Sequence, residues 1–109
     1  MTYYYLYEIK INNPKSSLNN SYYYGKHVTT NLDDNYFGSG KILKAYQNKY
    51  GNDGLFKTIL SFYNSEQELD QAEYELIKSK RELLKEKCLN LNDGGHGSFT
   101  YINQTLSEE

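Results

Sequence analysis

The stretch YYYLYEIKINNPKSSLNNSYYYGKHV, residues 3–28, decides the fold. In residues 3–11 aromatic and aliphatic side chains alternate with polar ones, which predicts a strand with one buried face. Residues 12–20 hold the only proline and four asparagines and are typical of a loop, whereas residues 21–28 predict a second strand. Together the three segments predict an antiparallel hairpin with a long loop.

A helix and a third strand are predicted after the hairpin. Residues 29–40 are polar and contain two glycines, as is typical of a loop. In residues 41–50, KILKAYQNKY, apolar side chains recur at helical spacing, with Ser39 placed to cap the helix and Gly51 to end it. Residues 55–62, LFKTILSF, predict a third strand, apolar enough for the centre of the sheet.

The second helix has the clearest boundaries. Ser65 followed by Glu68 is a capping-box pattern, so we expect a helix from about Glu66 to Lys87. Acidic residues occupy its first turns and basic residues its last turns, as the helix dipole favours. The element order is β-β-α-β-α. The predicted fold class is α+β, a single domain whose small, three-stranded, largely antiparallel sheet is packed with helices.

Length and composition restrict the class of protein. The 109 residues suffice for one domain, predicted at residues 1–98 with a polar tail at 99–109, and leave no room for a separate DNA-reading domain. A mean hydropathy of −0.84 predicts no membrane span, and the N-terminus lacks a signal-peptide pattern, so we expect a soluble cytoplasmic protein. The lone cysteine, Cys88, excludes an internal disulfide and a cysteine-rich zinc site. A net charge of −2 argues against permanent residence on a polyanion.

A glutamate interrupts the apolar face of the second helix. At about 100° per residue, Glu73 projects into the predicted apolar stripe. That stripe consists of Leu69, Ala72, Leu76, Ile77, Leu83 and Leu84. An unpaired carboxylate facing a core costs several kcal/mol, so it normally has a partner or holds a metal. Two interpretations stay open: a glutamate at the edge of the stripe, paired with a lysine such as Lys80, or a metal ligand or acid in a cleft.

Two tripeptides on the predicted hairpin carry a family resemblance. The first strand contains Tyr5-Leu6-Tyr7, and the second contains Tyr23-Tyr24-Gly25 followed directly by Lys26. The chain resembles the GIY-YIG nucleases, most closely the phage homing-endonuclease type, over residues 3–92. The segments YYGKHVTTNLDDNYFGSGKILKAYQNKYG, residues 23–51, and LNLNDGGHGS, residues 89–98, resemble that subgroup. A phage-encoded protein of this kind would act in the host-cell cytoplasm.

The resemblance implies roles for five residues, and the chemistry of histidine adds His27 as a sixth candidate, with a purely structural histidine in the strand as the alternative. Tyr7 and Tyr23 match the tyrosines of the two motifs, and Glu73 matches the metal-binding glutamate of the family. With Mg²⁺ or Mn²⁺ on this glutamate as Lewis acid, Tyr7 would act as general base and Tyr23 would orient the water or the phosphate. Lys26 would favour the phenolate of the adjacent tyrosine. Two further catalytic candidates are His27, as a proton shuttle or phosphate donor, and Asn90, a polar residue near the end of the domain.

The sequence departs from the family at two positions. Tyr5 stands where the first motif has its glycine. Because glycine has no side chain, this substitution removes no catalytic group. Many members carry a catalytic arginine about ten residues beyond the second motif, where this chain has Asp33. Its only arginine, Arg81, lies in the second helix. The positive charge would then have to come from His27 or from lysines of the first helix.

Lysines of the first helix are the candidate DNA contacts. Lys41, at the end of the segment GSGK, would lie at a helix N-terminus that presents backbone N–H groups to a phosphate. Lys44 and Lys49 would follow along the same helix, with Lys26 nearby. So few contacts predict weak binding to DNA with little sequence preference, which leaves open a homodimer or a separate DNA-targeting partner.

Two classes of function fit these observations. The first is a metal-dependent DNA endonuclease that nicks or cleaves DNA. The second is a catalytically impaired module of the same fold that binds DNA or a protein partner. Retention of both tyrosines, Lys26 and Glu73 favours the enzyme. The absent arginine and the acidic pI of 5.7 favour the binding module.

Overall fold

The computed structural model describes residues 1–91, and their element order confirms the predicted fold. The elements are β1 (Tyr3–Ile11), β2 (Tyr22–Thr29), α1 (Lys41–Tyr50), β3 (Leu55–Tyr63), α2 (Glu66–Leu84) and a 3₁₀ turn (Lys85–Lys87). The predicted boundary at residue 98 and the tail at 99–109 lie outside the described residues. Within residues 1–91, no helix is both long and apolar enough to cross a membrane.

The three strands form one antiparallel sheet in the order β2-β1-β3. β1 is central, so the prediction that the third strand lies at the centre is wrong. β3 pairs with β1 along one edge only, and it leaves four large apolar side chains more than a third exposed: Phe56, Ile59, Leu60 and Phe62. β3 is therefore an edge strand, and its apolar run does not indicate a central position.

The pairing of β1 with β3 contains an irregularity beside a motif residue. Leu6 pairs with Ser61 and Tyr7 pairs with Ile59, so Leu60 has no partner in the ladder. A residue inserted in this way bends the strand and increases its local twist. The bulge therefore lies directly next to Tyr7.

The buried side chains form two clusters on either side of the hairpin. The larger cluster joins alternate residues of β1 to α1 and contains Tyr5, Tyr7, Ile9, Ile11, Leu43, Tyr46, Leu55 and Leu89. The smaller cluster joins β2 to α2 and contains Tyr24, Ile77 and Cys88. Because side chains alternate along a strand, one hairpin serves both clusters.

The predicted start of α2 is confirmed. Ser65 Oγ accepts a hydrogen bond from the backbone N–H of Glu68 at 3.2 Å, while Glu68 Oε1 accepts one from the N–H of Asn64 at 3.2 Å. The regular helix ends at Leu84, three residues before the predicted end. Leu83, predicted in the apolar stripe, is 69% exposed, because at about 100° per residue it lies about 120° around the helix from Ile77.

The start of α1 differs from the prediction. Gly40, not Ser39, is the N-cap, and no side chain caps the helix. Ser39 Oγ instead accepts a hydrogen bond from the Tyr36 hydroxyl at 3.2 Å. The far end agrees with the prediction, because Gly51 has φ 67 and its N–H donates to the Gln47 carbonyl at 2.7 Å.

Candidate active site

Tyr7 lies across the backbone of the neighbouring strand. It pairs with Gly25 of β2 and is 1% exposed. A Cβ at Gly25 would come within 2.7 Å of Tyr7 Cζ and closer still to the hydroxyl, so any larger residue would displace the ring. The glycine of the second motif therefore makes room for the tyrosine of the first.

Tyr23 connects the hairpin to the start of α1. Its ring rests on Gly40, where a Cβ would lie 2.9 Å from Tyr23 Cζ. The side chains of Ser39 and Tyr7 lie close enough to its hydroxyl to act on its pKa, both in the lowering direction. The rings of Tyr7 and Tyr23 have centroids 6.2 Å apart. The structure thus brings the two motif tyrosines together.

Glu73 of α2 acts electrostatically on both tyrosines. It is 9% exposed, and its negative charge contributes to raising the pKa of Tyr7 and of Tyr23. For both phenols burial is the largest cause of the raised pKa, since it disfavours the charged form. Tyr7 is consequently a neutral phenol at physiological pH in the ligand-free chain.

The expected effect of Lys26 on Tyr7 is wrong. Lys26 pairs in register with Leu6 rather than with Tyr7, and alternation along the strand places its side chain on the other face of the sheet. Its ammonium forms an ion pair with Asp70 of α2. Lys26 therefore ties β2 to α2, and the pKa of Tyr7 is raised rather than lowered.

His27 belongs to an aromatic and acidic cluster beside the tyrosines. Its ring stacks on Tyr36 at 3.7 Å between centroids and 3° between planes, and it meets the edge of Tyr5 at 5.6 Å. Its Nε2 lies 2.7 Å from Asp34 Oδ2. This hydrogen bond is the largest cause that lowers the pKa of Asp34 to about 2. His27 is accordingly fixed in orientation by Tyr36, Tyr5 and Asp34.

Asn90 is separate from the tyrosines. Its side-chain amide forms two hydrogen bonds with the backbone of Tyr24. Oδ1 accepts from the Tyr24 N–H at 2.9 Å, and Nδ2 donates to the Tyr24 carbonyl at 2.6 Å. The amide thereby imitates a neighbouring strand along β2. This geometry supports a structural function for Asn90, and no described contact joins it to Tyr7, Tyr23 or Glu73.

The three predicted DNA contacts are exposed on α1. Lys41 begins the helix, and Lys49 lies over the ring of Tyr50 with Nζ 5.4 Å from the centroid. Lys44 lines an open groove of about 530 Å³ together with Tyr36 and Ser39. Because the ring of Tyr36 meets that of Tyr7 edge-on at 5.7 Å between centroids, this groove extends from the exposed lysine to the candidate site.

Sequence reasoning missed Lys57 of β3. Its Nζ donates hydrogen bonds to the Tyr5 hydroxyl at 2.6 Å and to the Tyr36 carbonyl at 2.8 Å. The signal was a single charged residue within a mainly apolar strand segment. It was overlooked because Lys57 reaches Tyr5 only through the pairing of β1 with β3, which are distant in sequence and place Lys57 opposite Ile9.

The residues present fit one kind of metal site. Among residues 1–91 no group of three or more histidine, cysteine, aspartate or glutamate side chains could hold an ion. Zinc sites normally use three or four protein ligands, so this donor set does not suit zinc. Mg²⁺ keeps several waters and is commonly bound through one or two carboxylates, and the buried Glu73 satisfies that requirement.

The chain is similar to several proteins of Enterobacteria phage T4 that are named as endonucleases. It is 37% identical over 101 residues to "Putative endonuclease segB", covering 93% of this chain and 43% of that protein. It is 37% identical over 97 residues to "Putative endonuclease segC", covering 89% of this chain and 46% of that protein. It is 42% identical over 60 residues to "Endonuclease segA", covering 55% of this chain and 27% of that protein.

The chain is thus a homologue of phage proteins named as endonucleases, and it spans less than half the length of each of these three relatives. No protein-family model and no solved structure matches it. The comparisons therefore indicate a nuclease-related class, and the type of nuclease must be inferred from the residues of the site.

Proposed function

We propose that this chain is a nuclease domain of the GIY-YIG type that hydrolyses phosphodiester bonds of DNA, nicking or cleaving it. The observation that carries the proposal is the convergence of three residues from separate elements. The rings of Tyr7 of β1 and Tyr23 of β2 lie 6.2 Å apart between centroids, and the charge of the buried Glu73 of α2 acts on both phenols. The homology to phage proteins named as endonucleases supports the same conclusion.

Glu73 is the proposed ligand of a divalent cation, Mg²⁺ or Mn²⁺. Such an ion would supply Lewis-acid chemistry at the phosphate and the leaving oxygen. The carboxylate is prepared for this task because it is buried, and burial strengthens its attraction for a cation. Tyr7 and Tyr23, as neutral phenols, add no further negative charge beside it.

The two tyrosines hold and orient the reactants. As neutral phenols, Tyr7 and Tyr23 each carry one O–H donor and can accept in turn, which suits a water molecule held beside a phosphate oxygen. Tyr7 can act as the general base only when a positive charge stands beside its hydroxyl, since that charge favours the phenolate. Lys26 does not provide this charge, because its ammonium is paired with Asp70.

The binding module remains the second candidate because two observations favour it. The pKa of Tyr7 is raised by burial, and Lys26 is engaged by Asp70. Both reduce the fraction of Tyr7 that is present as phenolate at neutral pH. In this alternative the same groove would bind DNA or a protein partner without hydrolysis.

Plasmid nicking distinguishes the two functions. The full chain is incubated with supercoiled DNA and Mg²⁺ or Mn²⁺, and Glu73→Gln is compared with Glu75→Gln. Glu75 is a matched control on the same helix, since it is exposed and accepts a hydrogen bond from Gln71 at 2.7 Å. The nuclease predicts nicking by wild type and by the control and none by Glu73→Gln. Equal nicking by both variants would remove Glu73 from the mechanism, and DNA binding without nicking by any form would favour the binding module.

DNA is the proposed partner, and target selection is proposed to lie outside the described residues. The DNA contacts on α1 are the exposed Lys41, Lys44 and Lys49, too few for tight binding. A homodimer or a separate DNA-targeting partner would supply the remaining affinity. The proposed place of action is the cytoplasm of the host cell.

A further inference from the structure

The ammonium group of Lys57 lies among the rings of Tyr5, Tyr7 and Tyr36. Besides its hydrogen bonds to Tyr5 and Tyr36, its Nζ lies 4.8 Å from the Tyr5 ring centroid, 5.5 Å from that of Tyr36 and 5.6 Å from that of Tyr7. Tyrosine rings attract a cation placed within about 6 Å of the centroid. Three rings therefore surround one ammonium group at the candidate site.

Keeping the Lys57 side chain charged at this partly buried position costs desolvation free energy. Burial lowers the pKa of Lys57, although the carboxylate of Asp34 acts in the opposite direction. A neutral donor could hydrogen-bond the Tyr5 hydroxyl and the Tyr36 carbonyl at lower desolvation cost. A structural function alone thus does not require an ammonium group.

Lys57 also has capacity for one more acceptor. An ammonium group carries three N–H donors, and within residues 1–91 the hydrogen bonds of Nζ use two of them. The side chain is partly exposed, so the third donor is available to an incoming ligand. Its neighbour Tyr36 also borders the groove that contains Lys44.

Other cations are poorly placed for the reacting phosphate. Lys26 is paired with Asp70, and Lys41, Lys44 and Lys49 lie exposed on α1. Among the described lysines, Lys57 is the one whose ammonium lies over the ring of Tyr7. Lys57 of β3 therefore places a positive charge at the candidate site, where this chain has no arginine.

We propose that Lys57 is a catalytic residue, whose remaining N–H donates to a non-bridging oxygen of the scissile phosphate and whose positive charge stabilises the transition state. This inference rests on the proposed nuclease function. It assigns the cationic group of the site to β3 rather than to α1 or to His27. Tyr5, at the position of the motif glycine, holds the ammonium in place through its hydroxyl.

The test compares Lys57→Met, Lys57→Gln and Lys57→Arg in the full chain. Single-turnover cleavage should fall by about 10²- to 10³-fold in Lys57→Met and Lys57→Gln, the loss typical of one transition-state donor, with partial recovery in Lys57→Arg. Lys10→Met is the matched control, because Lys10 is also a strand lysine over a tyrosine ring, with Nζ 5.8 Å from the centroid of Tyr22. Thermal melts identify any variant that fails to fold, and Lys57→Gln keeps a donor for Tyr5 should Lys57→Met unfold.

Tyr5→Phe separates a phosphate contact from a structural anchor. It removes the acceptor of Lys57 but keeps the ammonium, so we expect a smaller loss of cleavage than in Lys57→Gln. Equal losses would overturn the proposal, since they would show that Lys57 acts through Tyr5. Unchanged cleavage in a folded Lys57→Gln variant would also overturn it.

DNA binding separates failure of this inference from failure of the proposed function. In a Glu73→Gln background, which removes the proposed metal ligand, Lys57→Gln should reduce the slope of log affinity against log salt by about 0.9, the value for one lost phosphate contact. If wild type cleaves no DNA, the nuclease function fails while this slope still decides whether Lys57 contacts phosphate. An unchanged slope together with unchanged cleavage would refute the catalytic assignment of Lys57 and leave the proposed nuclease function intact.

Discussion

Gly25→Ala tests the geometry of the site with a single methyl group. The added Cβ would lie 2.7 Å from Tyr7 Cζ and 3.1 Å from Tyr7 Cε2, and closer still to the hydroxyl. Real Cβ atoms essentially never come within 3.0 Å of another heavy atom, so the ring must move. Gly25 is not among the residues with positive φ, so alanine fits the backbone and the clash acts through Tyr7.

The magnitude follows from the burial of the ring. Tyr7 is 1% exposed, and inserting a methyl group into a packed core typically costs about 1–3 kcal/mol. A displacement of about 1 Å at a catalytic group can reduce the rate by about 10²-fold. We therefore expect Gly25→Ala to destabilise the chain moderately and to lose most of its cleavage activity.

Urea denaturation and single-turnover cleavage measure the two effects. Because the Tyr7 hydroxyl is the atom nearest to the new Cβ, Gly25→Ala should cost less stability in a Tyr7→Phe background, with a coupling free energy of at least about 0.5 kcal/mol. Gly51→Ala is the control, since its Cβ would meet nothing within 4 Å and only its φ of 67 would be strained. Wild-type stability and cleavage in Gly25→Ala would refute the placement of Tyr7 over β2.

Glu73→Ala should abolish cleavage and leave the protein folded, because it removes the proposed metal ligand together with a buried charge; nicking assays, and thermal melts with and without EDTA, check both expectations. Tyr7→Phe should slow cleavage by ~10²- to 10⁴-fold, as loss of a general acid–base group does, and equal loss in the Tyr3→Phe control would show a packing effect instead. Lys26→Met should lower the melting temperature and leave the salt dependence of DNA binding unchanged, because its ammonium pairs with Asp70; a shallower salt slope would show that Lys26 contacts phosphate. The free energy of unfolding should decline above about pH 10, because the buried tyrosines have a higher pKa in the folded chain than in the unfolded chain. Their contribution is complete below the pKa of unfolded tyrosine and is lost as the pH rises through their pKa in the folded chain. Urea midpoints that stay constant from pH 9 to 12 would contradict this expectation.

Features encoded by neighbouring residues were predicted correctly. The alternation in residues 3–11 predicts β1, and Ser65 with Glu68 predicts the start of α2. Gly51 likewise predicts the end of α1, because a single residue with positive φ is enough to end a helix. Each of these signals depends on contacts within a few residues along the chain.

Features that depend on partners distant in sequence were predicted wrongly or missed. The apolar content of β3 does not reveal whether one or both of its edges are paired. Ser39 is a good capping residue in isolation, but Tyr36 occupies its hydroxyl. Lys26 follows the second motif directly, yet the pleat of β2 turns it towards Asp70 and away from Tyr7.

The sequence by itself determined the order of elements and the residue types available for chemistry, because periodicity, caps and motif tripeptides are local properties. Only the tertiary structure decided which of those residues meet. Antiparallel pairing brings Tyr7 opposite Gly25 and Lys57 beside Tyr5, and helix packing brings Asp70 to Lys26. Burial then raises the pKa of Tyr7, because desolvation depends on the whole fold rather than on any neighbour along the chain.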